Sequence, residues 1–137
     1  MINKKHISGF TLLELLMVVA IVGVLSAIAY PNFSDYVKKS RRADAQDALT
    51  SAMQKQEVFY ANNAVYATNI ADLGLSTATS LDGYYTLSFG VCDAQACEMT
   101  ATPTTLAGQD TDKVKFFTLS STGLKTAKYN TTTYNSW

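Results

Sequence analysis

From Phe10 to Tyr30 the chain reads FTLLELLMVVAIVGVLSAIAY, an apolar run of twenty-one residues whose only charge is Glu14. At about 1.5 Å per residue such a run makes a helix roughly 31 Å long, which matches the hydrocarbon thickness of a bilayer. A buried core helix of that length would need a larger protein around it. A signal-peptide apolar region is shorter and ends in small residues, whereas Tyr30-Pro31-Asn32-Phe33 follows here. The run is therefore read as a membrane-inserting helix. Pro31 has no N–H to donate and clashes with the carbonyl of Ala27, so it is expected to kink or break the helix. Gly23 is a second weak point, because glycine is a poor helix former.

Beyond Phe33 the pattern changes. Ala45, Leu49, Ala52, Met53, Phe59 and Tyr60 fall on one helical stripe, interrupted only by Gln56, while Asp47, Lys55 and Glu57 are expected to face water. Asn62-Asn63 is a plausible stop. One helix of about fifty residues thus has an apolar front half and an amphipathic back half. The front half is unsatisfied in a monomer and needs a membrane or the core of a polymer. Residues 61–82 read as a loop with at most a helical turn near Ile70–Leu73. Strand-forming stretches follow at 84–91, 99–103, 114–119 and 125–129, separated by turn residues, with Pro103 marking an edge or a strand end. The expected fold class is α+β: a long N-terminal helix packed on an antiparallel sheet of three to four strands.

Composition narrows the function. The 137 residues leave room for one domain, and 11 basic residues balance 11 acidic ones. No net field marks a nucleic-acid or acidic-lipid binder. Apolar residues make up 47% and charged residues 16%, which excludes intrinsic disorder. The single histidine, His6, lies in the first ten residues, so triad, Cys-His and His-metal chemistry lack their usual partner. The chain is read as a non-enzyme without a cofactor or metal.

Cys92 and Cys97, in CDAQAC, sit at the turn between two expected strands. Four intervening residues suit a hairpin closed by a disulfide in an oxidising compartment, worth about 2 kcal/mol for so short a loop. Two thiolates with no nearby histidine are too few for zinc, and the redox CxxC spacing is missing. The basic cluster Lys38, Lys39, Arg41 and Arg42 has three readings: a solvated helix face, a contact with acidic patches of neighbouring subunits, or a DNA-binding stripe with no aromatic platform beside it. Asp110-Thr111-Asp112 reads as a solvated turn, with calcium ligation the weaker reading. The Ser/Thr-rich tail around Asn130-Thr131-Thr132 is an exposed end that could accept sugars.

The stretch Ser8-Gly9-Phe10-Thr11-Leu12-Leu13-Glu14, after the short basic start MINKKHISG, resembles the class III signal of type IV prepilins. The resemblance implies cleavage by a prepilin peptidase between Gly9 and Phe10, N-methylation of Phe10, and an assembly role for Glu14 toward the N-terminal amine of a neighbouring subunit. The physics agrees: Phe10 and Glu14 are an i,i+4 pair, and a helix N-terminus favours a carboxylate. The alternative is a glutamate snorkelling to the interface. The positive-inside rule would leave the C-terminal part in the cytoplasm, because Lys38, Lys39, Arg41 and Arg42 outnumber Lys4 and Lys5. The leader resemblance and the cysteine pair overrule it.

Further stretches, Arg42-Ala43-Asp44-Ala45, Gly83-Tyr84-Tyr85-Thr86-Leu87, Ala101-Thr102-Pro103-Thr104 and Leu119 to Thr126, resemble PilE-like minor pilins of the type IVa system. Such proteins often carry one cysteine before the TLxxTGxK-like strand and another before a terminal tryptophan. Here Asp112-Lys113-Val114-Lys115 and Ser136 occupy those places, so roles of that disulfide loop do not carry over. The resemblance implies the type IV pilin fold, with a leader at 1–9, a transmembrane and filament-core helix at 10–33, an amphipathic half at 34–62, an αβ loop at 63–82, and a sheet with its tail at 83–137. Removing Lys4 and Lys5 with the leader would leave 9 basic against 11 acidic residues. The expected role is a minor pilus subunit whose partners are other pilins, the prepilin peptidase/methylase and the inner-membrane assembly platform. It would sit in the inner membrane before assembly and in an extracellular pilus afterwards. The alternatives are a type II secretion pseudopilin and a DNA-binding or adhesive receptor pilin.

Overall fold

The computed structural model describes residues 9–137, with only the backbone of Pro31 and Asn32. The expected leader residues Lys4, Lys5, His6 and Ser8 lie outside it. Helix α1 runs Leu12–Asn63 without interruption. Neither Pro31, where a kink or a break is expected, nor Gly23, the second weak point, interrupts the helix. A proline removes only one helical donor, and the apolar run on either side supplies enough propagating turns to bridge it. The chain forms two compact units, Met1–Tyr36 and Val37–Trp137.

The second unit is a meander. Strands β1 (Tyr85–Cys92), β2 (Cys97–Pro103), β3 (Val114–Ser120), β4 (Lys125–Tyr129) and β5 (Thr132–Tyr134) lie in sequence order. Every neighbouring pair is antiparallel. The count is one above the expected three to four, because the Thr-rich tail pairs Thr132–Tyr134 with Tyr129–Ala127 instead of trailing free. Pro103 ends β2, opposite Tyr85, where its missing donor breaks no further ladder. Residues Ile70–Leu73 form a single 3-10 turn, with Asn69 capping its start and Gly74 closing it at φ 64°.

Ala45, Leu49, Ala52 and Met53 of α1 are buried together with Tyr85, Leu87, Met99, Ala101, Val114, Phe117, Leu119 and Ala127 of the sheet. Phe59 is packed against this core as a half-buried neighbour. Lys55 is not free in water: it is half-buried and its Nζ donates to the Leu73 carbonyl at 3.3 Å.

Gln56, the polar interruption of the stripe, is fully buried. Its Nε2 donates to the Ala67 carbonyl at 2.7 Å and its Oε1 accepts from the Ala67 N–H at 2.9 Å. The side chain therefore satisfies both backbone groups of a loop residue that no strand or helix could pair. At the helix end, the Asn62 and Asn63 amides donate to the carbonyls of Val58 and Phe59, each at 2.9 Å. Ala64 then turns left-handed at φ 57° and stops the helix.

The Gln56 latch yields a stability test. Gln56→Leu keeps the volume but strands the buried Ala67 N–H and C=O, so it should lower unfolding stability by about 2 kcal/mol. Gln54→Ala, at an exposed position of the same turn, should change it by less than about 0.5 kcal/mol. Denaturant melts of the chain in detergent micelles, followed by near-ultraviolet circular dichroism, distinguish the two.

Candidate processing and assembly site

Gly9 and Phe10 precede the helix in non-helical backbone, and Phe10 is 84% exposed. Thr11 caps the helix: its Oγ accepts from the Glu14 N–H at 3.2 Å. Thr11-x-x-Glu14 has the spacing of a capping box, a signal the sequence carried and the motif reading passed over. A Cβ built on Gly9 meets nothing within 4 Å, so the fold itself does not demand glycine there. Gly23 is equally open.

From Leu12 to Phe33 the described large apolar side chains are all exposed. Among the described residues this is the one helix long and apolar enough to cross a membrane, and none of its apolar window is buried by the chain. Glu14 is the single charge in that surface.

In the second unit the basic cluster divides by role. Arg42 forks onto Asp112: Nε donates to Oδ2 at 2.8 Å and the second terminal nitrogen to Oδ1 at 2.7 Å. Its remaining terminal nitrogen donates to the Tyr129 hydroxyl at 3.3 Å, and the guanidinium carbon lies 5.5 Å from the Tyr129 ring centre. Arg41 lies over the Tyr84 ring at 4.4 Å and donates to the Ala107 carbonyl at 3.3 Å. The two arginines are therefore neither a solvated face nor a free stripe, and each has an aromatic partner that the sequence reading did not assign. Lys39 stays exposed and Lys38 half-buried.

Asp112 corrects the reading of Asp110-Thr111-Asp112. Its side chain is 3% exposed and both carboxylate oxygens accept from Arg42, so it is neither in a solvated turn nor available to a cation. Gln109 of the same loop is fully buried. Its Nε2 donates to the Tyr85 hydroxyl at 2.9 Å and the Lys38 carbonyl at 3.2 Å, and among the described residues its Oε1 has no partner. Arg41, Arg42 and Gln109 together tie the 104–112 loop to α1, across the left-handed turn at Ala107 and Gly108. Burial alone would push the Asp112 carboxyl up, but the Arg42 hydrogen bonds and charge hold it below the usual carboxylate range. The same hydrogen bonding raises the Arg42 guanidinium against its burial. Burial pushes the Tyr85 hydroxyl up to about 12, against the Gln109 hydrogen bond.

Cys92 and Cys97 are joined in a disulfide and face one another as Cα partners at the end of the β1–β2 hairpin. In the intervening turn, Asp93 accepts from the backbone N–H groups of Gln95 and Ala96, each at 2.8 Å, and these hold its carboxyl low. The Gln56 amide reaches Cys97 Sγ at 3.5 Å, so the bridge abuts the Ala67 latch.

Two family models match the chain. One, described as "Type IV minor pilin ComP, DNA uptake sequence receptor", covers residues 31–115; the other, a prokaryotic N-terminal methylation motif, covers residues 4–30. A fimbrial protein of Neisseria meningitidis serogroup A is 36% identical over 85 residues, 61% of this chain and 49% of that protein. The type IV major pilin PilA of Myxococcus xanthus is 31% identical over 100 residues, 73% of this chain and 46% of the relative. The chain thus spans about half the length of the curated relatives it matches. The crystal structure of the Neisseria meningitidis non-core minor pilin PilV superposes with a TM-score of 0.59 at 14% identity, over 74% of this chain and 96% of that one.

The clamp sets a pH profile. Asp112 has a depressed native pKa, so its contribution is complete above its unfolded value of about 3.9 and is lost as pH falls through the native value. Tyr85 has a raised native pKa, so its contribution is complete below about 10 and is lost as pH rises toward its native value near 12. Stability should be flat between these limits and fall on both sides. Asp112→Ala leaves Arg42 without its carboxylate and should cost about 3 kcal/mol at neutral pH while flattening the acid limb. Tyr85→Phe should flatten the alkaline limb. Thermal melts across the pH range read both.

Proposed function

Because the chain belongs to the family of type IV minor pilins that the longer match describes, we propose that it is a structural, non-enzymatic subunit of a type IV pilus. The proposed course is insertion in the inner membrane, removal of residues 1–9, N-methylation of Phe10, and transfer into an extracellular filament. The observation that carries this reading is the exposed apolar surface of α1 from Leu12 to Phe33, with Glu14 its only charge. A bilayer first, and the matching segments of neighbouring subunits afterwards, would remove that surface from water at about 25 cal/mol per Å².

The openness of Gly9 supports processing. Since nothing in the fold excludes a side chain there, a requirement for glycine lies in the peptidase that would read the motif. Glu14 in the first turn would remain available to the new Phe10 amine of its own or a neighbouring chain. A bend at Pro31 and Gly23 would adapt the segment to a crowded filament core. The alternative of a type II secretion pseudopilin shares the insertion, cleavage and methylation steps and differs in the apparatus that receives the subunit.

A second reading, binding of DNA, is favoured by one feature. Residues 113–137 hold four lysines and no acidic residue. Lys125 lies over the Trp137 ring at 4.4 Å and Lys128 over the Phe116 ring at 5.4 Å. Lysines beside aromatic rings suit a phosphate backbone with stacked bases.

Intact-mass and N-terminal fragmentation of the chain sheared from cells test the first reading. The expected product starts at N-methylated Phe10 and is two hydrogens light at Cys92 and Cys97. Gly9→Val should leave a full-length chain confined to the membrane, while the melting of the second unit stays unchanged. A wild-type chain that keeps Met1 and never reaches the sheared fraction sinks the filament role. For DNA, binding should weaken steeply with salt, and Lys125→Ala with Lys128→Ala should reduce the slope of log K against log salt by about 2. A salt-independent signal removes that reading.

A further inference from the structure

Ser51, Lys55, Val58 and Asn62 recur at helical spacing, so they share one face of α1 beside its buried stripe. This face and the Ile70–Leu73 turn border an open cleft of about 470 Å³, within the range of about 300–1,000 Å³ usual for ligand sites. The Lys55 hydrogen bond to the Leu73 carbonyl holds the turn against the helix. Val58, 63% exposed, half-buried Phe59 and buried Leu73 supply the apolar lining. Gln54, Asn62, Asn63 and Asp72, all exposed, supply polar groups. The amide nitrogens of Asn62 and Asn63 are held by helix carbonyls, so each side chain is fixed and keeps its Oδ1 as an acceptor. Among the described residues, the Gln54 amide and the Asp72 carboxylate make no hydrogen bond or ion pair. Gly74 completes the rim: the turn needs its left-handed φ of 64°, and open space lies where a Cβ would stand.

We propose that this cleft binds a neutral saccharide through one or two of its rings. The site is independent of the subunit reading above, because every lining residue belongs to the second unit. The charged lining residues are one lysine and one aspartate, Lys55 and Asp72. Their charges balance, so no net field selects an anion or a cation. That argues against a phosphate, a polyamine or a charged peptide as the ligand. A pyranose ring carries C–H groups on its faces and hydroxyls around its rim, each hydroxyl both donor and acceptor. It therefore needs apolar contact and polar groups of both kinds side by side. Val58 and Phe59 offer the apolar contact. Asp72 and the two asparagine oxygens accept from hydroxyls, while the Gln54 and Lys55 nitrogens donate to them. Since the asparagines are already fixed by the helix end, binding costs them little further side-chain freedom.

Saturation-transfer difference NMR tests the site on the full chain in dodecylphosphocholine micelles, a detergent without sugar. The probes are lactose, cellobiose and N,N′-diacetylchitobiose at millimolar concentration. Glucosamine, galacturonate and a neutral capped tripeptide (acetyl-trialanine amide) serve as comparators. At least one neutral disaccharide should receive saturation at its ring protons, and a titration gives its Kd. Asp72→Ala should raise that Kd about tenfold and Gln54→Ala about threefold. Asp47→Ala, at an exposed position of α1 outside the cleft, should leave it unchanged. Near-ultraviolet circular dichroism checks the fold of each variant, and Gln54→Ala decides alone if Asp72→Ala does not fold. No transfer to any of the three disaccharides overturns the proposal, as does a Kd indifferent to both substitutions. Glucosamine or galacturonate bound as tightly as the neutral sugars overturns it too, because charge balance would then select nothing. Tighter binding of the capped tripeptide than of any sugar makes the cleft a peptide site and rejects the saccharide.

Discussion

The Arg42–Asp112 pair is the contact on which the second unit depends. It joins the amphipathic half of α1 to the loop that feeds β3, across seventy residues of chain. Two parallel hydrogen bonds at 2.7 and 2.8 Å fix the angle as well as the distance between helix and loop. Around that fork, Arg41 takes the Ala107 carbonyl and Gln109 takes the carbonyl of Lys38. The left-handed conformation of Ala107, costly for a residue with a Cβ, persists because these contacts determine the loop from both sides. Such a pair is expensive to desolvate and is better understood as fixing geometry than as adding stability. The apolar core below it, which includes Leu49, Tyr85 and Phe117, contributes the stability.

A second constraint governs the front of the helix. Among the described residues nothing covers the apolar side chains from Leu12 to Phe33. Their exposure would be a defect in a soluble protein and becomes a design once another apolar phase is present. The Thr11 cap and Glu14 sit where that surface begins, so the same first turn both starts the helix and carries its charge.

Much of this was legible in the sequence, for a physical reason. Strands 84–91, 99–103, 114–119 and 125–129 lie within a residue or two of β1 to β4, because turn residues and β-branched or aromatic runs act locally. The stop at Asn63 and the turn at Ile70–Leu73 are local in the same way. What escaped was long-range or reciprocal. Arg42 and Asp112 looked like a basic stripe and an acidic turn because a pattern along the chain does not say which opposite charges meet in space. Gln56 looked like a flaw in the stripe, since its partner is a loop backbone group rather than a side chain. Strand β5 escaped because three exposed residues bury no face and leave no alternation to read. Of the site residues, Gly9, Phe10 and Glu14 were singled out by a short motif that resembles a peptidase signal, and the fold adds to it only their exposure and the cap.

The fork at Arg42 also has a mechanical meaning. Tension along α1 enters the second unit at Val37 and reaches the Arg42 turn within two helical turns. There the two hydrogen bonds to Asp112 share the load and must rupture together, unlike ladder bonds that peel one at a time. Behind them lie the Cys92–Cys97 bridge and the Ala67 latch, which shorten the chain that could be drawn out of the hairpin and the loop. The helix can thus be pulled as a cable while the sheet beside it keeps its fold.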